Sequence, residues 1–125
     1  MQNEQIELLS LASSDDEAVL SFPLPDRIFG FHAQQAVEKL LKMLILANRQ
    51  RHKFTHDIEL LQDSAEALGE VLPPTPFPIN QLTAFAVQVR YDTPRALTAA
   101  ERDQIRETVR ILREHVRARL IALNA

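Results

Sequence analysis

Apolar residues recur at the helical period along almost the whole chain, and no segment shows the convincing alternation of a strand. Capping residues and helix breakers divide this pattern into separate helices. The predicted helices are residues 3–20, residues 26–48, one capped by Thr55 and closed by Gly69, a short one capped by Asn80 that ends near residue 92, and one from Thr98 almost to the C-terminus. Because the connections are short, we predict an all-α, up-and-down antiparallel bundle of four to five helices.

Two local motifs set the ends of these helices most clearly. Thr98 and Glu101 have capping-box spacing, which is typical of a helix N-terminus. The segment LPPTPFPIN, residues 72–80, carries four prolines in nine residues. Since proline lacks the amide hydrogen that a helix interior uses, this segment predicts a stiff, extended connector.

Composition narrows the class of protein. With 125 residues, of which 46% are apolar, the chain is predicted to form one domain, residues 1–125, with a real core. It contains no cysteine, which excludes a disulfide framework and a thiolate metal site, and we expect neither a metal ion nor a cofactor. It has no transmembrane run, and its N-terminus is acidic where a signal peptide is basic, so we expect a cytoplasmic protein without membrane contact.

Charge is distributed unevenly along the chain. The formal net charge is −3, but residues 1–30 hold six acids against Arg27 alone, and residues 93–125 hold seven arginines against four acids. Such asymmetry is compatible with a nucleotide or nucleic-acid partner without requiring one.

The second predicted helix carries a polar row. At about 100° per residue, His32, Gln35, Lys39 and Lys42 fall within roughly 80° of one another, and Glu38 lies off the edge of the row. The simpler interpretation is the solvated face of a bundle helix. The alternative is a ligand site, because two ammonium groups one turn apart, without an acid between them, are stabilised by an anion.

Three motifs, taken in order, resemble a known family. FHAQQAVEKLLKMLI, THDIELL and VRYD are similar to segments of the HEPN domain (higher eukaryotes and prokaryotes nucleotide-binding), over roughly residues 25–120. The resemblance implies a helical bundle that is commonly a homodimer. It also implies a partner, a minimal nucleotidyltransferase as in toxin–antitoxin systems, and a nucleotide or RNA ligand.

The family's recurring polar residues transfer to this chain by position. They fall on Gln35, Glu38, Lys39, Lys42, His56, Asp57, Arg90 and Tyr91. The ligand-binding candidates implied by the resemblance are Gln35, Lys39, Lys42, His56, Arg90 and Tyr91. Structural roles are the alternative, since a histidine at a helix start packs or caps and an arginine at a helix end suits the helix dipole.

Some HEPN proteins are metal-independent ribonucleases marked by Arg-x(4–6)-His, in which histidine moves a proton and arginine stabilises the phosphorane. About one such pair is expected by chance in a chain of this composition. Four occur here: Arg27–His32, Arg49–His56, Arg51–His56 and Arg110–His115. In the last pair, five residues along a helix separate the side chains by about 140°. The sequence therefore favours a protein that is not an enzyme, with a metal-independent endoribonuclease as the alternative.

The last predicted helix carries a row of arginines. Five of them lie within about 80° of one another beside the apolar stripe: Arg102, Arg106, Arg110, Arg113 and Arg117. Neighbouring acids predict the pairs Glu107–Arg110 and Glu114–Arg117. The surplus charge predicts a surface for a partner protein, with phosphate contact and a dimer interface as alternatives.

Three functions stay open at this point. The first is a nucleotide- or nucleic-acid-associated component of a two-protein system, and the second is a ribonuclease toxin that uses an Arg/His pair. The third is a structural dimeric bundle without a ligand.

Overall fold

The computed structural model describes residues 2–86 and 96–124, and all regular structure within these ranges is helical. The predicted all-α bundle is confirmed. The α-helices are α1 (Gln2–Ala18), α2 (Asp26–Ala47), α3 (Ile58–Ala67) and α4 (Ala99–Asn124), with 3-10 helices at Val19–Ser21 and Ile79–Phe85.

Helix α2 is the centre of the bundle. It packs against α1, α3, α4 and the 3-10 helix Ile79–Phe85. Its apolar side chains, among them Leu41 and Leu44, are fully buried in the same core as Ile105 and Val109 of α4. Because α2 has neighbours on several sides, even part of its polar face is covered by another helix.

The starts of α3 and of the following 3-10 helix differ from the prediction. The cap of α3 is Asp57, whose Oδ1 accepts from the amides of Glu59 and Leu60 at 3.0 and 3.4 Å, and Thr55 Oγ1 instead accepts from the amide of Asp57. A carboxylate is the better acceptor at the positive end of a helix, so the helix starts two residues later than predicted.

The short helix predicted from Asn80 was wrong in type and in its cap. The chain forms a 3-10 helix, Ile79–Phe85, which follows Pro78 and has no side-chain cap. Asn80 lies inside its first turn, because Pro78 already ends the extended connector and leads the chain into the turn. The predicted end near residue 92 lies outside the described residues.

The other two end motifs are confirmed. Thr98 and Glu101 form a reciprocal capping box, in which the amide of each donates to the side chain of the other at 3.0 Å. The proline connector is non-helical over residues 71–78. It is tied to α4 by the buried Thr108, whose Oγ1 accepts from the amide of Phe77 at 3.0 Å.

Gly30 permits a close crossing inside α2. A Cβ atom added at this position would lie 2.2 Å from Cδ1 of Phe85, so no larger residue fits without displacing that ring. Gly30 therefore allows the 3-10 helix Ile79–Phe85 to rest directly on α2.

Candidate functional site

A buried carboxylate organises the polar face at the middle of α2. Glu38 is 3% exposed and accepts three side-chain hydrogen bonds. Its Oε1 accepts from Gln34 Nε2 at 2.8 Å and from His56 Nδ1 at 2.7 Å, and its Oε2 accepts from Lys42 Nζ at 2.9 Å. We call Gln34, Gln35, Glu38, Lys42 and His56 the Glu38 cluster.

Two glutamines complete this network. Gln34 is fully buried, and its Nε2 also donates to the backbone carbonyl of His56 at 3.2 Å. Gln35 Nε2 donates to Gln34 Oε1 at 2.7 Å. Because α2 thereby binds both the side chain and the backbone of His56, it fixes the residue that precedes the start of α3.

The hydrogen bond to Glu38 determines the chemistry of His56. A carboxylate only accepts, so Nδ1 carries a proton. The side chain of His56 is 44% exposed, and its Nε2 makes no hydrogen bond to any residue that the structure describes. The imidazole is thus held in one orientation, with a nitrogen available to an external group.

A second carboxylate, that of Asp16, binds two further side chains of the polar row. Asp16 of α1 binds His32 Nδ1 through Oδ1 at 2.8 Å and Lys39 Nζ through Oδ2. Ser13 donates to the carbonyl of Ala36 at 3.1 Å, which fixes this part of α1 against α2. The histidine and lysine at this end of the row therefore face α1 as well as solvent.

Both lysines of the row have a carboxylate partner, although no acid lies between them in the row. Lys42 is bonded to Glu38, because its long side chain spans the turn to a residue at i−4. Lys39 is bonded to Asp16, a partner from a different helix. The two carboxylates therefore balance the charges of the two lysines. Phosphate binding by these lysines stays a prediction.

The arginine row of α4 is also mostly occupied. Arg102 Nε binds Asp26 at 3.2 Å, and its guanidinium lies 4.5 Å from the centre of the Phe29 ring. Arg106 donates to the carbonyl of Leu20 at 2.7 Å. Both arginines thus fasten the segment between α1 and α2 onto α4. The pKa of Asp26 is lowered, first because the amide of Leu97 donates to it and then because of Arg102.

The ion pairs farther along α4 partly match the prediction. Glu107–Arg110 is confirmed, but Glu114–Arg117 was wrong, since Glu114 binds Arg110 at 2.8 Å and also lies near Arg113. Glu114 lies four residues after Arg110, about one helical turn, and its carboxylate binds Arg110 instead of Arg117. Arg117 is exposed and forms no ion pair with the described residues.

The charge asymmetry of the chain has an internal explanation. Acids near the N-terminus pair with cations of α2 and α4: Asp16 with Lys39, Glu17 with Arg113, and Asp26 with Arg102. Much of the positive charge that could have indicated an anionic ligand is therefore used to hold α1 and the following segment in place.

The structure places the two members of the Arg110–His115 pair in different surroundings. Arg110 is bound to two glutamates, and His115 Nε2 is buried without a hydrogen-bond partner among the described residues. Burial lowers the pKa of His115. That pair therefore does not converge on a common site. His32 is bound to Asp16, whereas His56 keeps an open nitrogen.

Sequence reasoning missed Asp16 and Gln34 and gave Glu38 no site role. The i,i+4 spacing of Gln34, Glu38 and Lys42 was a usable signal for Glu38. No local signal reveals Asp16, because its contacts cross between helices. Arg90 and Tyr91 lie outside the described residues.

None of the helices in residues 2–86 and 96–124 is long and apolar enough to cross a membrane. The same ranges contain no group of three histidine, aspartate or glutamate side chains placed to bind a metal ion.

Together, the helical bundle and the histidine–carboxylate cluster on its central helix define a class of small all-α domains with a buried polar network. Comparison with protein families gives a match to the HEPN domain over residues 27–119. The chain belongs to the HEPN family. Comparison with curated proteins and with solved structures gave no significant match. Helix α1 precedes the matched residues, yet it supplies Asp16 and Glu17 to the polar contacts of the bundle.

Proposed function

We propose that this HEPN protein is a non-catalytic, nucleotide- or nucleic-acid-associated component of a cytoplasmic two-protein system. Its partner would be a minimal nucleotidyltransferase, as in toxin–antitoxin pairs. The observation that carries the proposal is the Glu38 cluster. A bundle that needed only stability could fill this position with apolar residues, because a buried charged network contributes little net stability.

His56 is the centre of the proposed ligand site. Its open Nε2 can accept a hydrogen bond when neutral and donate one when protonated. Gln35 lies in the same network and supplies a further donor, whereas Lys42 is only 12% exposed and its ammonium group is bound by Glu38. Arg90 and Tyr91 belong to the proposed site through the family resemblance, whereas Lys39 and Lys42, which bind carboxylates, belong to its supporting structure. Because Glu38 neutralises Lys42, this site suits a base or sugar better than an isolated phosphate.

Titration calorimetry with ATP and with UMP at low salt tests this site. Replacement of His56 by Gln should weaken nucleotide binding about tenfold, the usual effect of one lost charged or polar contact. The matched control is His52→Gln, a histidine of the same connection that does not contact Glu38. No binding of any nucleotide by the wild type would leave the structural bundle as the better account.

Homodimerisation is part of the proposal. Support comes from α1, where Leu8 and Leu11 are 67% and 61% exposed three residues apart on one helix face. Sedimentation at micromolar concentration should give a dimer, and Leu8→Ser with Leu11→Ser should shift it to monomer. Co-expression and co-purification with a minimal nucleotidyltransferase test the second partner.

The endoribonuclease alternative keeps one supporting observation. A histidine whose Nδ1 is held by a buried carboxylate is an arrangement typical of a general base. Incubation of the pure protein with RNA separates the two functions. Our proposal expects intact RNA. Cleavage that is lost in His56→Gln and kept in His115→Gln would instead favour the ribonuclease.

A further inference from the structure

Residues 49–54, which we call the 49–54 segment, expose an aromatic ring among cations. The side chain of Phe54 is 100% exposed. The ring of His52 meets it edge-on, with centroids 5.9 Å apart. Arg49, Arg51 and Lys53 are exposed and form no ion pair with residues 2–86 or 96–124. Apart from the contact with His52, nothing in the described part of the fold accounts for a phenylalanine in water at this point.

The backbone at Arg49 supports a role for its side chain. Arg49 has φ = +62°, in the left-handed region where glycine or asparagine usually ends a helix. An arginine there is strained, and its guanidinium contacts no described acid that would compensate. Such local strain is characteristic of positions kept for function.

The segment is also held at both ends. The amides of Arg49 and Gln50 donate to the carbonyls of Leu46 and Ile45 at 2.9 and 3.3 Å, and the amide of Thr55 donates to Lys53 at 3.0 Å. The cations are thus presented from an anchored connection. It leads within two residues from Phe54 to His56 of the proposed ligand site.

The nearest acids along the chain do not neutralise the segment. The carboxylate of Asp57 is occupied by the first amides of α3. Glu59 is exposed on the first turn of α3 and forms no ion pair with a described residue. Three cations in five residues therefore keep a local positive charge, in contrast to the paired cations of α2 and α4.

We propose that the 49–54 segment is a contact site for single-stranded nucleic acid. Phe54 stacks on an unpaired base, and Arg49, Arg51 and Lys53 contact the adjacent phosphates. Aromatic side chains beside a positively charged track are the general means of binding single strands without sequence preference. A duplex keeps its bases stacked, so it cannot use Phe54. A membrane surface is less suited, because interfacial binding commonly uses the apolar face of an amphipathic helix and this segment is not helical.

This inference deepens the proposed function and rests on it, since it assigns a strand rather than a mononucleotide as the ligand that reaches His56. The test is fluorescence anisotropy with a labelled short oligouridylate, the same sequence as DNA, and an RNA duplex. We expect the single strands to bind and the duplex to bind more weakly. Phe54→Ser should weaken single-strand binding about tenfold, within the range measured for one stacked base.

The salt dependence tests the cations separately. Each contact with a phosphate of a single strand contributes about 0.7 to the slope of log affinity against log salt. The double variant Arg51→Gln with Lys53→Gln should therefore reduce the slope by about 1.4. Val71→Ser, which removes another exposed apolar side chain, and Arg117→Gln, which removes an exposed cation of α4, should change neither affinity nor slope.

Four results would overturn the inference, and each has a different meaning for the proposed function. Oligonucleotide binding that is unchanged in Phe54→Ser, or that is lost in Arg117→Gln instead, overturns the inference. Binding of ATP or UMP without any gain for the oligonucleotide overturns it and leaves the proposed function standing. Absence of both kinds of binding overturns both. Phe54-dependent binding to phosphatidylglycerol vesicles, with no binding of single strands, assigns the segment to membranes and also overturns the inference.

Discussion

The lysines of α2 and the cations of the 49–54 segment carry the same charge in opposite surroundings. Lys39 and Lys42 are mostly buried and bind carboxylates that are themselves covered. Arg51 and Lys53 are exposed and have no ion pair with the part of the chain that the structure describes. The first pair therefore serves the fold, and the second is available to a ligand.

This difference shows the limit of charge patterns along a single helix. In the sequence, the lysine row looks like an open cationic face, and the 49–54 segment looks like an ordinary polar turn. The tertiary structure reverses the two, since α1 brings Asp16 to the row and no described acid approaches the turn. Availability of a charge depends on its neighbours in space.

The largest expected effect is at the carboxylate of the Glu38 cluster. Glu38→Ala leaves Lys42 and His56 without their partner in a largely buried place, so the free energy of unfolding should fall by about 3 kcal/mol. Urea denaturation measures it. Glu66→Ala, at an exposed acid of α3, is the control and should cost under about 0.5 kcal/mol. Equal effects of the two variants would show that the network is not buried in solution.

A second buried carboxylate gives a pH-dependent effect of intermediate size. Glu70 is 5% exposed and accepts from Arg119 at 2.8 and 3.0 Å and from Asn48 at 3.0 Å. The hydrogen bonds from Arg119, chiefly, hold the pKa of Glu70 below its ordinary value of 4.5. Since the folded pKa is the lower one, this stabilisation is complete above pH 4.5 and is lost as the pH falls through the folded pKa.

The burial of His115 also makes the folded state less stable as the pH falls, but over a higher pH range. Burial lowers its pKa from 6.5, so the folded state holds the imidazole neutral, and stability is lost as the pH falls below 6.5. Thermal melts from pH 8 to pH 3 should therefore show two successive losses. Glu70→Gln should cost about 2 kcal/mol at neutral pH and reduce the lower loss, to which Asp26 also contributes. His115→Gln should remove the upper one. A single loss below pH 4.5 in the wild type would contradict the burial of His115.

The smallest expected effect is at the strained arginine of the 49–54 segment. Arg49→Gly relieves the left-handed backbone but adds freedom to the unfolded chain, so the free energy of unfolding should stay within about 0.5 kcal/mol of the wild type. Urea denaturation again measures it. Gln50→Gly, one residue on, has no such strain to relieve and is the matched comparison. A large loss in Arg49→Gly would show that this side chain supports the fold, like the lysines of α2.

The fold was largely predictable because its determinants are local. The helical period located the main helices, and the capping box at Thr98 and the prolines of residues 72–78 marked boundaries that the structure keeps. The predicted start of α3 was misplaced because two neighbouring side chains, Thr55 and Asp57, can each accept from backbone amides at the helix start. The 3-10 form of Ile79–Phe85 was not predictable, because it depends on the approach of Phe85 to Gly30.

The site was predictable only in part. Resemblance pointed to His56 and to the lysine row, and the structure brings His56 and Lys42 onto one carboxylate. The role of Asp16 could not be predicted, since it follows from the packing of α1 on α2. The exposure of Phe54 was equally hidden, because an isolated phenylalanine in a sequence is usually a core residue.

The most direct test of this account compares two double variants in the same buffer, by thermal midpoint and by affinity for the oligouridylate. Lys39→Gln with Lys42→Gln should lower the midpoint by several degrees, because it leaves Asp16 and Glu38 without their lysine partners, and should change the affinity less than about threefold. Arg51→Gln with Lys53→Gln should leave the midpoint within about two degrees and weaken binding at least tenfold at low salt. The reverse pattern, a lysine variant that melts like the wild type but no longer binds, would contradict the account.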